Sequence, residues 1–226
     1  MADFERQRES MVESQLRPNE VTDPRLISIM RTLPRERFVP QAWRGLAYID
    51  EPIEVFPSID GAPARFLLAP MVLARLIQLA AVEPQDKVLD VGCATGYSTA
   101  VLAQLSRYVT GLEPESELET IARRTLRELG LSNCDWVEGV LSQGHERGAP
   151  YDVIFLNGSV QYVPETFVSQ LREGGRLVAV LTRGPNMRQG KAYCFVKVRG
   201  EASGVPHFDA GAPPLPGFAP APSFTF

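Results

Sequence analysis

The spacing of apolar residues changes character several times along this chain, and each change marks a new kind of element. In residues 4–17, Met11, Val12 and Leu16 recur at helical spacing among Arg, Glu and Gln, which predicts an amphipathic helix ending before Pro18. Asp23 followed by Pro24 forms a helix start, and Leu26, Ile27 and Met30 give that second helix an inward face closed by Pro34. Prolines 40, 52, 57 and 63 interrupt residues 35–63 too often for long elements, leaving irregular chain with one short strand near Ile53–Phe56. Helical spacing returns over Pro70–Ala81 through Met71, Val72, Leu76 and Leu79.

From there the pattern alternates. Strands are expected at Val88–Val91, Tyr108–Leu112, Asp135–Glu138, Tyr151–Leu156, Gly175–Thr182 and Ala192–Val198. Helices are expected at Ser98–Leu105, at Glu115–Leu129 with Gly130 as C-cap, and at Pro164–Leu171. Such alternation predicts an α/β fold: a doubly wound, mainly parallel seven-stranded sheet under an N-terminal helical cap, with a ligand crevice at the carboxyl ends of the strands. The chain divides into a cap and acceptor-side segment over 1–69, an α/β body over 70–203 and a proline-rich segment over 204–226, all in one domain. Prolines 206, 213, 214, 216, 220 and 222 mark that last segment as loop or disordered chain, yet Phe208, Leu215, Phe218, Phe224 and Phe226 are too apolar for a solvated tail. It reads as a loop lying on the body, with Ser223–Phe226 as a terminal edge strand.

Composition narrows the partners. The 226 residues carry 23 Lys and Arg against 27 Asp and Glu, a net charge of −4, with no long basic run to capture nucleic acid or an anionic membrane. No apolar stretch is long enough to span a bilayer and Met1–Ser10 is unlike a signal peptide, so a cytoplasmic location is expected. Cys93, Cys134 and Cys194, with only His145 and His207 as imidazoles, lack metal-site spacing and read as reduced structural thiols.

The candidate chemistry lies in Lys87–Ala100, a β-branched strand that passes through a two-glycine turn into a helix. Asp90 ends the strand, Gly92 and Gly96 shape the turn, and Glu113 ends the next strand, where a carboxylate can accept from both ribose hydroxyls. A dinucleotide fingerprint would place glycine where Ala94 and Tyr97 stand. S-adenosylmethionine has no pyrophosphate and tolerates Ala94, while its amino group favours an acid at Asp90. That cofactor is therefore the leading reading, with NAD and a purely structural turn as alternatives.

The chain resembles the protein-L-isoaspartate O-methyltransferase family of class I, S-adenosylmethionine-dependent enzymes. The likeness is densest in Met11–Leu16, Leu33–Pro40, Ala47–Pro52, the glycine loop and Gly174–Val178. The resemblance implies methylation of isoaspartyl carboxylates as protein repair. It also implies cofactor contacts from Asp90, Gly92, Cys93, Gly96, Glu113, Pro114, Val140, Leu141 and Asn157, and a protein, peptide or small-molecule acceptor. The family's acceptor-side Thr and Ser correspond here to Phe66 and Leu68, and its adenine-binding Asp to Val140. Methyl transfer to an ionised carboxylate needs alignment and water exclusion rather than a base. Losing one polar partner in such a site costs about 1–3 kcal/mol, one or two decades in rate, unless the acceptor itself has changed. An altered acceptor and a non-catalytic cofactor-binding scaffold are the two expectations. Arg65 and Arg183 are candidate carboxylate partners or solvated charges, His145 a surface residue, and Asn157–Gly158 a turn or a cofactor contact.

Overall fold

The computed structural model describes residues 3–59, 63–184, 187 and 189–218. Helix α1 (Phe4–Met11) is capped by Asp3, whose carboxylate accepts the Arg6 N–H. The continuous helix expected to residue 17 instead widens into a π turn over Val12–Leu16 and tightens into a 3-10 turn over Arg17–Asn19. Pro18 cannot donate to the helical ladder, and the change of winding keeps Val12 and Leu16 in the core. Helix α2 (Pro24–Thr32) begins at Asp23, which accepts from Arg25 N–H at 2.8 Å.

Two 3-10 segments follow, Arg35–Phe38 and Gln41–Leu46. Strand β1 (Ile53–Phe56) then pairs antiparallel with β2 (Arg65–Leu67), setting Ile53 opposite Leu67 and Glu54 opposite Phe66. Only the first of these strands was expected. Helix α3 (Pro70–Ala80) opens on its proline, and Asp50 accepts the Met71 N–H at 3.0 Å, supplying a cap from 21 residues upstream.

The body continues as β3 (Lys87–Val91), α4 (Tyr97–Ala103), β4 (Tyr108–Leu112), α5 (Ser116–Glu128), β5 (Cys134–Val137), β6 (Tyr151–Val160), α6 (Glu165–Gln170), β7 (Leu171–Leu181), β8 (Gln189–Val198) and β9 (Glu201–Gly211). The main sheet runs β5-β4-β3-β6-β7-β8-β9, parallel from β5 to β7 and antiparallel from β7 to β9. Seven strands and a mainly parallel order agree with the sequence reading. The seventh strand of this sheet is β9, most of which lies in residues assigned to a loop, while the strand expected at Ser223–Phe226 lies outside the described residues. Pro206 is accommodated because β9 is the edge strand and pairs with Tyr193 beside a register shift. Between β3 and β6 the strand order reverses, and this is the topological switch point at which α/β sheets bind ligands.

Two staples fix the elements around that point. Arg176, in β7, donates to the Ala80 carbonyl at 2.6 Å and to Asp86 at 2.6 Å, holding the end of α3 to the start of β3. Arg35 is fully buried, donates to the carbonyls of Ala47 and Leu68 at 2.7 Å each, and lies 4.8 Å from the centre of the Tyr97 ring. Phe38 meets the same ring edge-on at 5.4 Å. The N-terminal cap is thereby fastened to the first turn of α4.

Candidate active site

Local conformation builds the turn after β3. Gly92 and Gly96 have φ of +78° and +90°, a region that favours glycine, and Ala94 is held at +50°. Gly96 N–H donates to the Cys93 carbonyl at 2.8 Å, closing the turn on its own backbone, and Gly92 N–H donates to the Leu112 carbonyl of β4 at 2.8 Å, tying the turn to the neighbouring strand. Thr95 donates to the Phe38 carbonyl at 2.6 Å, which brings the cap against it.

Asp90 is wholly buried at the end of β3 and accepts from Ser98 Oγ at 2.6 Å and Thr99 Oγ1 at 2.8 Å, both on the first turn of α4. Burial pushes its carboxyl up to about 7; the two hydroxyls oppose that shift and the nearby Glu113 adds to it. Asn157 Nδ2 donates to the same Ser98 Oγ at 2.7 Å. Asp90 Oδ1 and Asn157 Oδ1 are buried acceptors with no hydrogen-bond partner among the described residues. Asn157–Gly158 is not the turn that its residue types suggested: β6 runs on through it to Val160. Burial, with Asp90 and Glu113 next, raises the Cys93 thiol well above its ordinary range, so it stays a neutral packing group.

Glu113, at the end of β4, is fully buried and already engaged. Arg65 Nε donates to Oε1 at 2.7 Å, Arg65 Nη2 to Oε2 at 2.9 Å, and Ala94 N–H to Oε2 at 2.8 Å. The guanidinium side chain is 3% exposed, so this is a desolvated, two-pronged ion pair. The chain after β9 closes over it. Ser159 N–H donates to the Pro213 carbonyl and Leu215 N–H to the Ser159 carbonyl, both at 2.8 Å, so Pro214 forms a parallel bridge with β6 beyond the end of β3. Leu215 and Phe218 are buried, and Phe218 stacks on Phe167 at 6.0 Å. A Cβ on Gly92 would lie 2.5 Å from Leu215 Cδ2, and one on Gly158 2.7 Å from Leu215 Cγ. These glycines give the tail its close approach.

The remaining predicted residues scatter. Phe66 is half-buried in β2, while Leu67 and Leu68 are in the core. Leu141 is buried against Leu215 in the second core cluster, whereas Val140 is 54% exposed and places no acceptor there. Pro114 is half-buried, and Arg183 is exposed after β7. His145 is half-buried and held by its backbone, to Gln170 Oε1 and Tyr151 Oη; burial, with Arg147 and Lys87, lowers its pKa. Sequence reasoning missed two features. One is the role of Arg65 toward Glu113. The other is a groove of about 450 Å³ beside Thr95, lined by Arg37, Arg44, Arg124 and Glu117 among Phe38, Val55, Phe56 and Ile121.

A doubly wound sheet of this order, with an acid-ended strand running through two positive-φ glycines into a helix, defines a class I methyltransferase domain. The family model for protein-L-isoaspartate(D-aspartate) O-methyltransferase (PCMT) matches residues 6–201, and the chain belongs to this family of S-adenosylmethionine-dependent transferases. A protein-L-isoaspartate O-methyltransferase from Protochlamydia amoebophila is 37% identical over 177 residues, 78% of this chain and 80% of the relative. Protein-L-isoaspartate O-methyltransferase 2 from Anaeromyxobacter is 36% identical over 200 residues, 88% and 78% of the two chains. Among solved structures, a protein-L-isoaspartate O-methyltransferase superposes with a TM-score of 0.78 at 26% identity, covering 93% of this chain and 66% of that one. A Plasmodium falciparum protein solved with S-adenosyl-L-homocysteine shares the fold, with a TM-score of 0.74 at 21% identity over 92% of this chain and 97% of that one. Among the described residues, no helix is long and apolar enough to cross a membrane.

Fit to the cofactor divides along the cleft. The unpartnered oxygens of Asp90 and Asn157 flank Ser98 and would suit an ammonium group such as the one on the methionine part of the cofactor. Both oxygens of Glu113, the acid expected to receive the ribose hydroxyls, are taken by Arg65, and Leu215 lies on Gly92. The conformation seen here does not fit a bound nucleoside.

Proposed function

We propose that this chain is a methyltransferase whose acceptor differs from the isoaspartyl peptide of its family, a more apolar carboxylate compound being the class its acceptor side suits. Family membership supports the reaction type, and the methionine-end acceptors support retention of the donor. The observation that carries the altered acceptor is the build of residues 65–69. Here the family's hydroxyl positions are Phe66 and Leu68, with Leu68 in the core and its carbonyl tied to Arg35. Neither side chain carries an N–H or O–H, so neither can orient a carboxylate by hydrogen bonding. The groove beside Thr95 offers what remains: guanidinium groups of Arg44 and Arg124, with that of Arg37 paired to Glu128, over an apolar floor, a combination suited to an acid with a hydrophobic body.

The test is methyl transfer from labelled S-adenosylmethionine to isoaspartyl peptide and, separately, to cell extract, by the wild type and by Phe66→Thr/Leu68→Ser. Labelling of extract with peptide labelling at least about tenfold below that of a relative bearing the Thr and Ser is expected, following the loss of one polar contact. Peptide labelling equal to that relative's would overturn the altered acceptor. A second reading, a non-catalytic relative, is favoured by one observation, the capture of Glu113 by Arg65. It predicts no labelling of peptide or extract by any variant.

A further inference from the structure

The ribose end of the cleft is filled by groups that belong together. Arg65 comes from β2, on the cap side, and Leu215 from the segment after β9, on the body side; they meet over Gly92 at the point where the strand order reverses. Neither is a loose surface group. Arg65 makes two hydrogen bonds to Glu113, and Leu215 is fixed by backbone bonds on both sides of Ser159 and by burial against Leu141. β7 lies on one flank of Ser159, so the Pro214 bridge takes the other flank, beyond the end of β3. A guanidinium presenting paired N–H donors to a carboxylate satisfies the same two oxygens that a pair of ribose hydroxyls would.

We infer that Arg65 and the segment Pro213–Phe218 form an intramolecular plug of the cofactor cleft, so that a nucleoside cofactor binds only by displacing the guanidinium from Glu113 and Leu215 from Gly92. The inference rests on the methyltransferase reading only for the identity of the displaced ligand. The apolar half of the plug is the tail and the polar half is Arg65, and the two are released by different changes. Opening leaves Glu113, the glycine turn and the methionine-end acceptors as a ready cradle. A plug of this kind makes cofactor affinity depend on whatever else holds the tail or the acceptor-side strand.

The experiment is calorimetric titration of the full-length chain with S-adenosylhomocysteine, comparing the wild type with Arg65→Gln, Leu215→Ser and the double variant. Thermal melts confirm that each variant is folded. Each single variant is expected to bind at least tenfold tighter than the wild type, and the double variant tighter still. Amide hydrogen exchange on the wild type supplies a readout that needs no substitution: saturating S-adenosylhomocysteine should speed exchange at Ser159 and Leu215. Equal affinity in all four proteins would overturn the plug, as would binding to the wild type without faster exchange at those two amides. Absence of binding in every variant would overturn it too, because something other than these groups would then exclude the nucleoside. Tighter binding with no methyl transfer to any acceptor would leave the plug standing and remove the methyltransferase reading instead.

Discussion

Replacing Arg65 by Met is expected to be among the most damaging single changes in this chain, and replacing its partner as well should restore much of the loss. Arg65→Met leaves Glu113, with no accessible surface, holding one hydrogen bond from Ala94 in place of three. An uncompensated buried charge of this kind costs about 3–5 kcal/mol, a large share of the roughly 5–15 kcal/mol that keeps a domain folded. Glu113→Leu strands the guanidinium, which is 3% exposed, at a similar cost of about 3–5 kcal/mol. The double variant strands neither charge. What remains is the orphaned Ala94 N–H, at about 1–3 kcal/mol, and imperfect packing around Leu215. Urea unfolding of the four proteins at neutral pH, without added cofactor, measures the coupling. The double variant should fall short of the summed single losses by several kcal/mol, roughly 3 or more. Additivity within about 0.5 kcal/mol would mean that the pair is not formed in solution, and the reasoning about the closed cleft would fall with it. If either single variant is too unstable to assay, Glu113→Gln keeps an acceptor for Arg65 and gives a milder version of the same cycle.

Three further outcomes follow from the geometry. Asp90 has a folded-state pKa of about 7 against an ordinary 3.8, so the folded state holds its proton longer. Its contribution is greatest below pH 3.8 and is lost as pH rises through 7, a drop of about 2 kcal/mol between pH 5.5 and 8 that Asp90→Asn should abolish in urea melts across that range. Arg35→Met removes the donors to the Ala47 and Leu68 carbonyls, and should cost about 3 kcal/mol, seen as a fall in Tm of roughly 6–12 °C by calorimetry. A fall under about 2 °C would mean that the cap is not fastened there. Gly158→Ala puts a methyl group against Leu215 and the Pro213 carbonyl, so limited chymotrypsin digestion should cut after Phe218 several-fold faster than in the wild type. An unchanged rate would show that β6 and the tail can give way together.

The parts of the molecule legible in the sequence are those whose physics is local. The strand–turn–helix from Lys87 to Ala103 was readable because residues next to one another in the chain carry the change of period and the positive-φ glycines. Glu113 stood out because β4 follows at once and ends there. β9 was not readable, since Pro206 is a breaker by type and becomes acceptable only on an edge beside β8, a pairing that no local pattern announces. The tail's apolar residues said that it would lie on the body, and Leu215 and Phe218 do, but the place they occupy is set by Gly158 and Gly92, more than fifty residues away in sequence. Arg65 shows the limit most sharply. Its partner is 48 residues distant, and position alone made Glu113 a ribose ligand and Arg65 a surface charge. One signal was available: an arginine running straight into Phe66, Leu67 and Leu68 is an arginine at the start of a core strand, and a cation carried into the core needs buried acceptors there, carbonyls as for Arg35 or a carboxylate as for Arg65. Of the two strand-end acids, Asp90 is claimed by the hydroxyls of Ser98 and Thr99 that the following helix delivers automatically. Glu113 is the one left to answer Arg65, so an acid at the right position for a ribose becomes, in this chain, the counter-charge of its own strand.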